Sequence, residues 1–221
     1  MAKAVGGCRV PWFAERSGAT TLFSHLHAGI IAGMGPSRIH RKSWDNDGDV
    51  HCLTFSTFRR QPLFPGKHAS GWFLKALAAA RKRCPFHLFA YVIMPEHVHV
   101  VLQPLPGVKM QTVLWHVKRP VTAAALAWAG NHCPDFLASM ADVQPCGKVA
   151  YRFWQRGGGY DRNLRSASDM HEKIAYIHEN PVRRGLARRP EDWPHSSAAD
   201  WILRKPGPVP IDWDEVPEPE L

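Results

Sequence analysis

The segment 91–102 constrains this chain more than any other stretch, because it predicts two neighbouring strands with a histidine pair on the second. A run of hydrophobic β-formers ends at Pro95 and Glu96, and the next β-rich run contains His97 and His99. Side chains alternate between the faces of a strand, so the two histidines share one face and the intervening valines share the other. Two imidazoles this close on a stiff strand form half of a site for a divalent metal, and other residues must complete it.

The flanking sequence predicts an α+β fold. Strands are expected at 49–58, 86–94, 97–103 and 149–155, and helices at 71–82, 108–129 and from Ser166 or Ser168 to Asn180. Their order, β-α-β-β-α-β-α with a hairpin at the centre, favours a ferredoxin-like sandwich in which helices pack on an antiparallel sheet.

Three segments are expected along the chain. Residues 1–47 lack a sustained hydrophobic period and are interpreted as a mobile N-terminal extension. Residues 48–185 contain the predicted sheet, and residues 186–221 form a basic C-terminal tail. The span 130–147 has weak patterning and is interpreted as a variable connection.

Charge and cysteine content narrow the class of partner. The chain has 28 Lys and Arg and 19 acidic residues, so its net charge is +9 and its sequence pI is near 9.6. This positive charge suits a polyanionic partner such as nucleic acid. No run reaches the ~20 apolar residues of a membrane span, so no membrane partner is expected. Five scattered cysteines without a CxxC motif favour neither a disulfide framework nor a thiolate zinc site, and a reducing cytoplasm fits them.

A late predicted helix supplies what the histidine pair lacks. Tyr176 and Asn180 are four residues apart, so they share a helix face. An amide oxygen from Asn180 can complete a His-His-amide set for Mg²⁺ or Mn²⁺, and three neutral ligands leave the charge of the metal available to an attacked phosphodiester. Tyr176 then offers a phenolic nucleophile, although a free phenol, with a pKa of about 10, needs help from a metal and nearby arginines.

Two other aromatic or imidazole groups compete for these roles. Tyr160, which follows three glycines, is the rival nucleophile, and Tyr176 itself could be a core residue of an amphipathic helix. His178 faces away from Tyr176 by about 200° on a helix, so it is not expected to be a third histidine ligand.

These motifs together resemble a known family. Four stretches of the chain are similar to the HUH single-tyrosine transposases. They are Met-Pro-Glu-His-Val-His at 94–99, Tyr-Ile-His-Glu-Asn-Pro-Val-Arg-Arg-Gly-Leu at 176–186, Asp-Trp-Pro-His-Ser-Ser at 192–197 and Pro-Ile-Asp-Trp at 210–213. In particular they resemble the REP-associated tyrosine transposases, in an order that covers about residues 48–213. The resemblance implies a ferredoxin-like nuclease domain over 48–185 and a DNA-recognition tail over 186–221.

The resemblance also implies roles for individual residues. His97 and His99 would be the metal-binding pair, Tyr176 the nucleophile and Asn180 the third ligand. Many relatives have Gln at the last position, and the shorter Asn implies looser or water-mediated coordination. The DNA contacts implied by the family would come from a basic set and a short aromatic and serine motif: Arg165, Arg183, Arg184, Arg188, Arg189, Trp193, Ser196 and Ser197.

The expected function is therefore cleavage and strand transfer of single-stranded DNA at REP-type hairpins. The resemblance implies a 5′-phosphotyrosine intermediate with a free 3′-hydroxyl and a divalent metal, for which Mg²⁺ or Mn²⁺ is expected. A monomer or homodimer that associates with the nucleoid in the cytoplasm is also expected. Two alternatives stay open: a hairpin-binding regulator that does not cut, and a metal-dependent phosphodiesterase that uses water.

Overall fold

A four-stranded antiparallel sheet is the centre of the computed structural model, which describes residues 48–64 and 66–219. The prediction of a mobile extension over 1–47 lies outside the described residues. Within them the strands are β1 (Val50–Ser56), β2 (Phe86–Ile93), β3 (His97–Pro104), β4 (Ala141–Val143), β5 (Val149–Tyr151) and β6 (Tyr160–Leu164). The helices are α1 (Gly66–Arg83), α2 (Met110–His132), α3 (Pro134–Ser139), α4 (Ala167–His178), α5 (Asn180–Arg183) and α6 (Ala198–Leu203).

The order of the main sheet is β2-β3-β1-β6, with antiparallel neighbours throughout. This is the strand order of a ferredoxin-like fold, so the predicted fold class is confirmed. The expectation that 149–155 supplies the fourth strand is wrong, because β5 pairs only with β4 in a separate small hairpin. The fourth strand is β6, whose sequence Tyr-Asp-Arg-Asn-Leu has little apolar pattern because it lies at the sheet edge with only Leu164 buried.

The span 130–147 is also more ordered than its patterning suggested, since it contains α3, β4 and the turn that leads into β5. Helix α2 runs without a break from Met110 to His132 although Pro120 lies inside it. Pro120 is exposed, while Val113, Val117 and Val121 form the buried stripe that holds the helix on the core. None of the helices in the described part of the chain is long and apolar enough to span a bilayer.

The two faces of the sheet have different neighbours. On one face, Val92 and Val101 pack against Ile174 and Ile177 of α4 in a shared hydrophobic cluster. On the other, Phe55 of β1 packs against the α1 side chain Phe73 at a ring-centroid distance of 6.1 Å. His99 pairs in register with Val92, so it lies on the face that α4 covers. The histidine pair and the helix that carries Tyr176 are therefore on the same side of the sheet.

The beginning and end of α4 follow from local chemistry. Ser166 is the N-cap, and its side-chain oxygen accepts a hydrogen bond of 3.1 Å from the backbone N–H of Asp169. The helix ends at His178, but Glu179 keeps helical dihedral angles (φ −74°, ψ −13°) before α5 begins. Asn180 consequently lies about one turn beyond Tyr176, in agreement with the predicted spacing.

The outer edge of β2 is covered by residues 193–213, named here the C-terminal segment. The backbone N–H of Ile93 donates to the carbonyl of His195, and the N–H of Ser197 donates to the carbonyl of Tyr91, both at 2.9 Å. Further along, the N–H of Asp212 donates to the carbonyl of Leu88 at 2.9 Å. These bonds occupy backbone groups that an open sheet edge would present to other chains.

Candidate functional site

The site begins with the two histidines of β3. Nε2 of His97 lies 3.0 Å from Nε2 of His99, and the rings meet nearly at a right angle with centroids 4.7 Å apart. The alternation of a strand places both side chains on one face, as the sequence predicted. His99 is buried, whereas the side chain of His97 is 18% exposed, so solvent reaches the pair from the side of His97.

Each imidazole is held through its other ring nitrogen. Nδ1 of His97 lies 3.1 Å from Oε1 of Glu96, and Nδ1 of His99 lies 2.8 Å from Oγ1 of Thr54 on β1. Partners of this kind orient metal-binding histidines and set which nitrogen is free to ligate. Sequence reasoning did not assign a role to Thr54 or Glu96. Glu96 adjoins the histidine pair, but Thr54 is found only through the pairing of β1 with β3.

Asn180 is the third polar side chain at this point. Its Nδ2 lies 3.3 Å from Nε2 of His99, so the structure brings together the helix residue and the strand residues that the sequence singled out. Turning the amide by half a rotation about its last side-chain bond would present Oδ1 in place of Nδ2. No cluster of three or more His, Cys, Asp and Glu side chains suited to a metal occurs within residues 48–64 and 66–219. The third candidate ligand is therefore an amide.

The geometry fits a divalent cation. Two ligand atoms at right angles around an octahedral ion, each at about 2.05 Å, would be about 2.9 Å apart, close to the 3.0 Å that separates the imidazole nitrogens. Burial, followed by the neighbouring His97, lowers the pKa of His99 to about 3. His99 is therefore neutral at physiological pH, which is the protonation state of a ligating imidazole.

Glu96 links the pair to the arginines that follow α4. Its hydrogen bond with His97 is the main cause that lowers the pKa of Glu96 to about 2, and the hydrogen bond with Arg184 lowers it further. Nη1 of Arg184 donates to Oε1 of Glu96 at 2.6 Å. A permanent carboxylate here orients both His97 and Arg184.

Tyr176 is half exposed, at 46%, on the surface of α4. Its ring lies between two cations: Nζ of Lys173 is 4.8 Å from the ring centroid, and the guanidinium carbon of Arg183 is 4.3 Å from it. The charge of Lys173 also contributes to the lowered pKa of His99. Lys173 is therefore the cation that contacts the Tyr176 ring and also acts on His99. This exposure and setting do not match a core tyrosine.

The rival nucleophile, Tyr160, also lies on this face. It pairs in register with Thr54 on β1, and Thr54 pairs with His99 on the next strand. Tyr160 is 42% exposed, so its exposure does not distinguish it from Tyr176. By contrast, His178 is buried and its Nε2 lies 2.9 Å from Oγ of Ser197, away from the histidine pair.

The predicted DNA-binding residues divide into two groups. Arg165, Arg183, Arg184, Arg188 and Arg189 are exposed. Of these, Arg184 pairs with Glu96, and Arg189 pairs with Asp192 at 3.2 Å.

Trp193, Ser196 and Ser197 instead make contacts within the protein. Nε1 of Trp193 donates to the carbonyl of Ile93 at 2.9 Å, and Oγ of Ser196 donates to the carbonyl of Trp193 at 3.1 Å. Oγ of Ser197 accepts from the backbone N–H of Tyr91 at 2.9 Å. Both serines are buried. A part for these three residues in base recognition stays a prediction.

Known proteins resemble this chain in sequence and in fold. No family model matches the chain. A REP-associated tyrosine transposase of Escherichia coli (strain K12) is 26% identical over 140 residues, which cover 62% of this chain and 68% of that protein. A Haemophilus influenzae protein with the same family name is 26% identical over 135 residues, which cover 61% of this chain and 70% of that protein.

A solved structure of a REP-associated tyrosine transposase bound to a REP hairpin shares the fold. The match has a TM-score of 0.54 and 23% sequence identity, and it covers 80% of this chain and 94% of that one. The chain is thus similar to REP-associated tyrosine transposases in sequence, and the similarity of fold extends over most of its length.

Proposed function

We propose, from the premise that this chain is a relative of the REP-associated tyrosine transposases, that it cuts and joins single-stranded DNA at REP-type hairpins. One observation carries the proposal. The Nε2 atoms of His97 and His99 meet 3.0 Å apart, Asn180 reaches the same point, and an exposed tyrosine lies one helical turn before Asn180. Each imidazole has its Nδ1 occupied by a separate partner, Glu96 or Thr54, so both Nε2 atoms face the same point.

Tyr176 is the proposed nucleophile. Its phenolic oxygen, after losing a proton to solvent, bonds to the phosphorus of the scissile phosphodiester. The bond from phosphorus to the 3′ oxygen breaks, and that oxygen takes up a proton and leaves as a 3′-hydroxyl. The DNA 5′ end stays attached to Tyr176 as a phosphotyrosine, which keeps the bond energy for a later joining step. Lys173 and Arg183 place positive charge beside the attacked phosphate.

His97, His99 and Asn180 are the proposed holders of Mg²⁺ or Mn²⁺. Such an ion, when bound, would act as a Lewis acid that polarises the scissile phosphate. The protein prepares this position by keeping His99 neutral through burial and by orienting His97 through Glu96.

The arginines around α4 and α5 are proposed to hold the DNA backbone. Arg183 and Arg184 follow the nucleophile, Arg165 precedes α4, and Arg188 and Arg189 lie further along. Exposed guanidiniums bind phosphate oxygens and fix the position of a strand without reading its sequence.

The proposed division of labour places cleavage in residues 48–185 and hairpin recognition in 186–221. Because the polar atoms of Trp193, Ser196 and Ser197 bond within the protein, we infer that they contribute to recognition by holding the C-terminal segment in place. The chain is further proposed to work on chromosomal DNA in the cytoplasm, as a monomer or homodimer.

A covalent-adduct assay tests the proposal. The protein is incubated with Mg²⁺ or Mn²⁺ and a fluorescent hairpin oligonucleotide that carries single-stranded arms, and the products are run on a denaturing gel. The wild type should form a protein–DNA adduct, Y176F should form none, and Y160F should still form it. Y151F, which changes another exposed tyrosine, is the matched control.

The same gel separates the alternatives. Hairpin binding without cleavage or adduct would indicate a regulator, and cleavage without any adduct would indicate a phosphodiesterase that uses water. Loss of the adduct in Y160F together with its persistence in Y176F would assign the nucleophile to the other tyrosine.

A further inference from the structure

A cavity of about 450 Å³ lies beside β1, where the pairing of β1 with β6 ends. Thr54 lines it, and the hydroxyl group of Thr54 lies 2.8 Å from Nδ1 of His99, so the cavity and the candidate site have this residue in common. Four of its lining residues are basic and none is acidic; the basic ones are Arg59, Arg60, Lys118 and Arg156. This set was not among the residues that the sequence motifs singled out.

Three of these cations have no carboxylate at ion-pair distance within residues 48–64 and 66–219. They are Arg59, Arg60 and Lys118. Nζ of Lys118 donates to the carbonyl of Gly157 at 3.3 Å and lies 4.7 Å from the ring centroid of Phe55. Lys118 is partly buried and the two arginines are exposed, and a group of cations without a counter-ion attracts an anion.

The backbone around the cavity is unusual in two places. Arg59 and Arg60 both adopt the left-handed region, with φ of 54° and 53°, which non-glycine residues rarely occupy and which is concentrated at binding sites. Gly159 has φ +90°, and a Cβ there would be 2.3 Å from the carbonyl oxygen of Thr54. The glycine loop can therefore lie directly against β1, which forms the floor of the cavity.

An aromatic groove continues from the basic cavity. A second cavity of about 630 Å³ lies along the outer face of α2 and shares Lys118 and Gly157 with the first. Trp115 lines this groove with 51% of its surface exposed, and the guanidinium carbon of Arg119 lies 4.8 Å from its ring centroid. A positively charged groove with an exposed aromatic ring is the usual composition of a surface that binds single-stranded nucleic acid.

We propose that the basic cavity and the Trp115 groove together form a binding track for the unpaired DNA strand that flanks the cleaved bond. Arg59, Arg60 and Lys118 hold its phosphates, and Trp115 stacks on one of its bases. The track deepens the proposed function and rests on it for the identity of the strand. Thr54 is common to both regions, whereas Phe55 and Lys118 of the cavity lie on the opposite face of the sheet. A strand in the track therefore passes around the edge of β1 to reach the histidine pair.

Binding of a short fluorescent oligo(dT) tests the track without requiring hairpin recognition or cleavage. R59Q/R60Q should weaken binding about tenfold and lower the slope of log Kd against log salt by about 1.4, since each single-strand phosphate contact contributes about 0.7. W115A should weaken binding about tenfold with an unchanged slope. The matched control K75Q/K82Q removes two exposed charges on α1, outside both cavities, and should stay within about twofold of the wild type.

Photocrosslinking gives a readout that does not depend on variants. An oligo(dT) in which one thymine is replaced by bromouracil should crosslink to the wild-type peptide that contains Trp115. The proposed track would be refuted if R59Q/R60Q and W115A bound oligo(dT) as tightly as the wild type. It would also be refuted if the crosslinks were confined to the C-terminal segment.

The outcomes distinguish the track from the proposed function. Binding of oligo(dT) that depends on the track, in a protein that forms no Tyr176 adduct, would refute the nuclease and leave the track in place. Adduct formation with track-independent binding would refute only the track. Tighter binding of oligo(rU) than of oligo(dT) would overturn the assignment of the track to DNA.

Discussion

Two regions of this molecule were both expected to contact DNA, and the structure treats their polar groups in opposite ways. On the candidate catalytic face, which carries His97, His99, Asn180 and Tyr176, the first three side chains meet at one point. His97 and Tyr176 remain partly open to solvent. In the C-terminal segment, the serine hydroxyls are buried and bond to groups of the protein itself.

The difference shows that the polar residues of a motif can either stabilise the fold or contact a partner. The edge strand β2 needs partners for its backbone groups, and the C-terminal segment supplies them through His195, Ser197 and Asp212. Asp212 also accepts from the backbone N–H of Leu88 at 2.7 Å and pairs with Arg81. Stability therefore explains the polar residues of this segment, whereas it does not explain two imidazoles with their Nε2 atoms turned together.

The largest effect should follow removal of the divalent ion. EDTA should reduce cleavage at least about a hundredfold while hairpin binding survives, because the ion stabilises charge on the attacked phosphate. H99A should act in the same way in a gel assay, and H132A, which changes an exposed histidine, should not. Undiminished cleavage in EDTA would mean that the histidine pair has no metal-dependent chemistry to distinguish it from the C-terminal segment.

The next effect should come from the hydroxyl group that positions His99. T54V keeps the shape of the side chain but removes the partner of Nδ1, so about ten- to hundredfold more divalent ion should be needed for half-maximal cleavage. T112V, at an exposed position on α2, is the control. A T54V variant with the metal requirement of the wild type would mean that Thr54 does not orient the imidazole.

In the C-terminal segment the main effect should be on stability. S197A leaves the buried N–H of Tyr91 and the ring of His178 without their hydroxyl partner, so the free energy of unfolding should fall by about 1–3 kcal/mol. Urea unfolding measures this, with S168A at an exposed site as the control. Weaker hairpin affinity without a loss of stability would instead assign Ser197 to direct base recognition.

Arg183, the exposed arginine beside the proposed nucleophile Tyr176, should affect DNA binding and leave stability unchanged. R183Q should weaken hairpin binding several-fold and lower the slope of log Kd against log salt by about 0.7–0.9, as expected when one phosphate contact is lost. Its free energy of unfolding should change by less than about 0.5 kcal/mol, since the residue is exposed. A large loss of stability in R183Q would mean that Arg183, like Ser197, mainly stabilises the fold.

The smallest effect concerns pH and the basic cavity. Burial lowers the pKa of Lys118 to about 8, so the residue loses its charge as pH rises through 8, and oligo(dT) affinity should fall about two- to fourfold between pH 7 and 9. The other charged or titratable groups in the lining are Arg59, Arg60, Arg156 and Tyr160. In K118M the affinity for oligo(dT) should vary less with pH. If K118M kept the pH dependence of the wild type, Lys118 would not be its source.

Several of these features were accessible from the sequence because they are local. Alternation along β3 predicts that His97 and His99 share a face, and the spacing of Tyr176 and Asn180 predicts a common helix face. Neighbouring residues also limit the cap of that helix to Ser166 or Ser168, and the structure selects Ser166. The fold class followed from the order of elements, because ferredoxin-like topologies allow few arrangements, although the fourth strand was placed wrongly. The division of the chain at residue 185 stays a prediction.

What was missed depends on pairing between distant residues. Strand β6 has almost no apolar pattern because it needs to cover only an edge of the sheet. The contact between Thr54 and His99 joins positions 45 residues apart, and only the register of β1 against β3 brings them together. The basic cavity likewise combines residues from β1, α2 and the loop before β6.

The sequence by itself determined which side chains this protein offers for the proposed phosphate chemistry and on which element each one lies, because periodicity is a property of neighbouring residues. Only the tertiary structure decided which polar groups remain available to a partner and which are satisfied within the fold. The physical reason is that a hydrogen bond depends on distance in space: the hydroxyl of Ser197 meets Tyr91 across 106 positions of chain, and no local pattern specifies that contact.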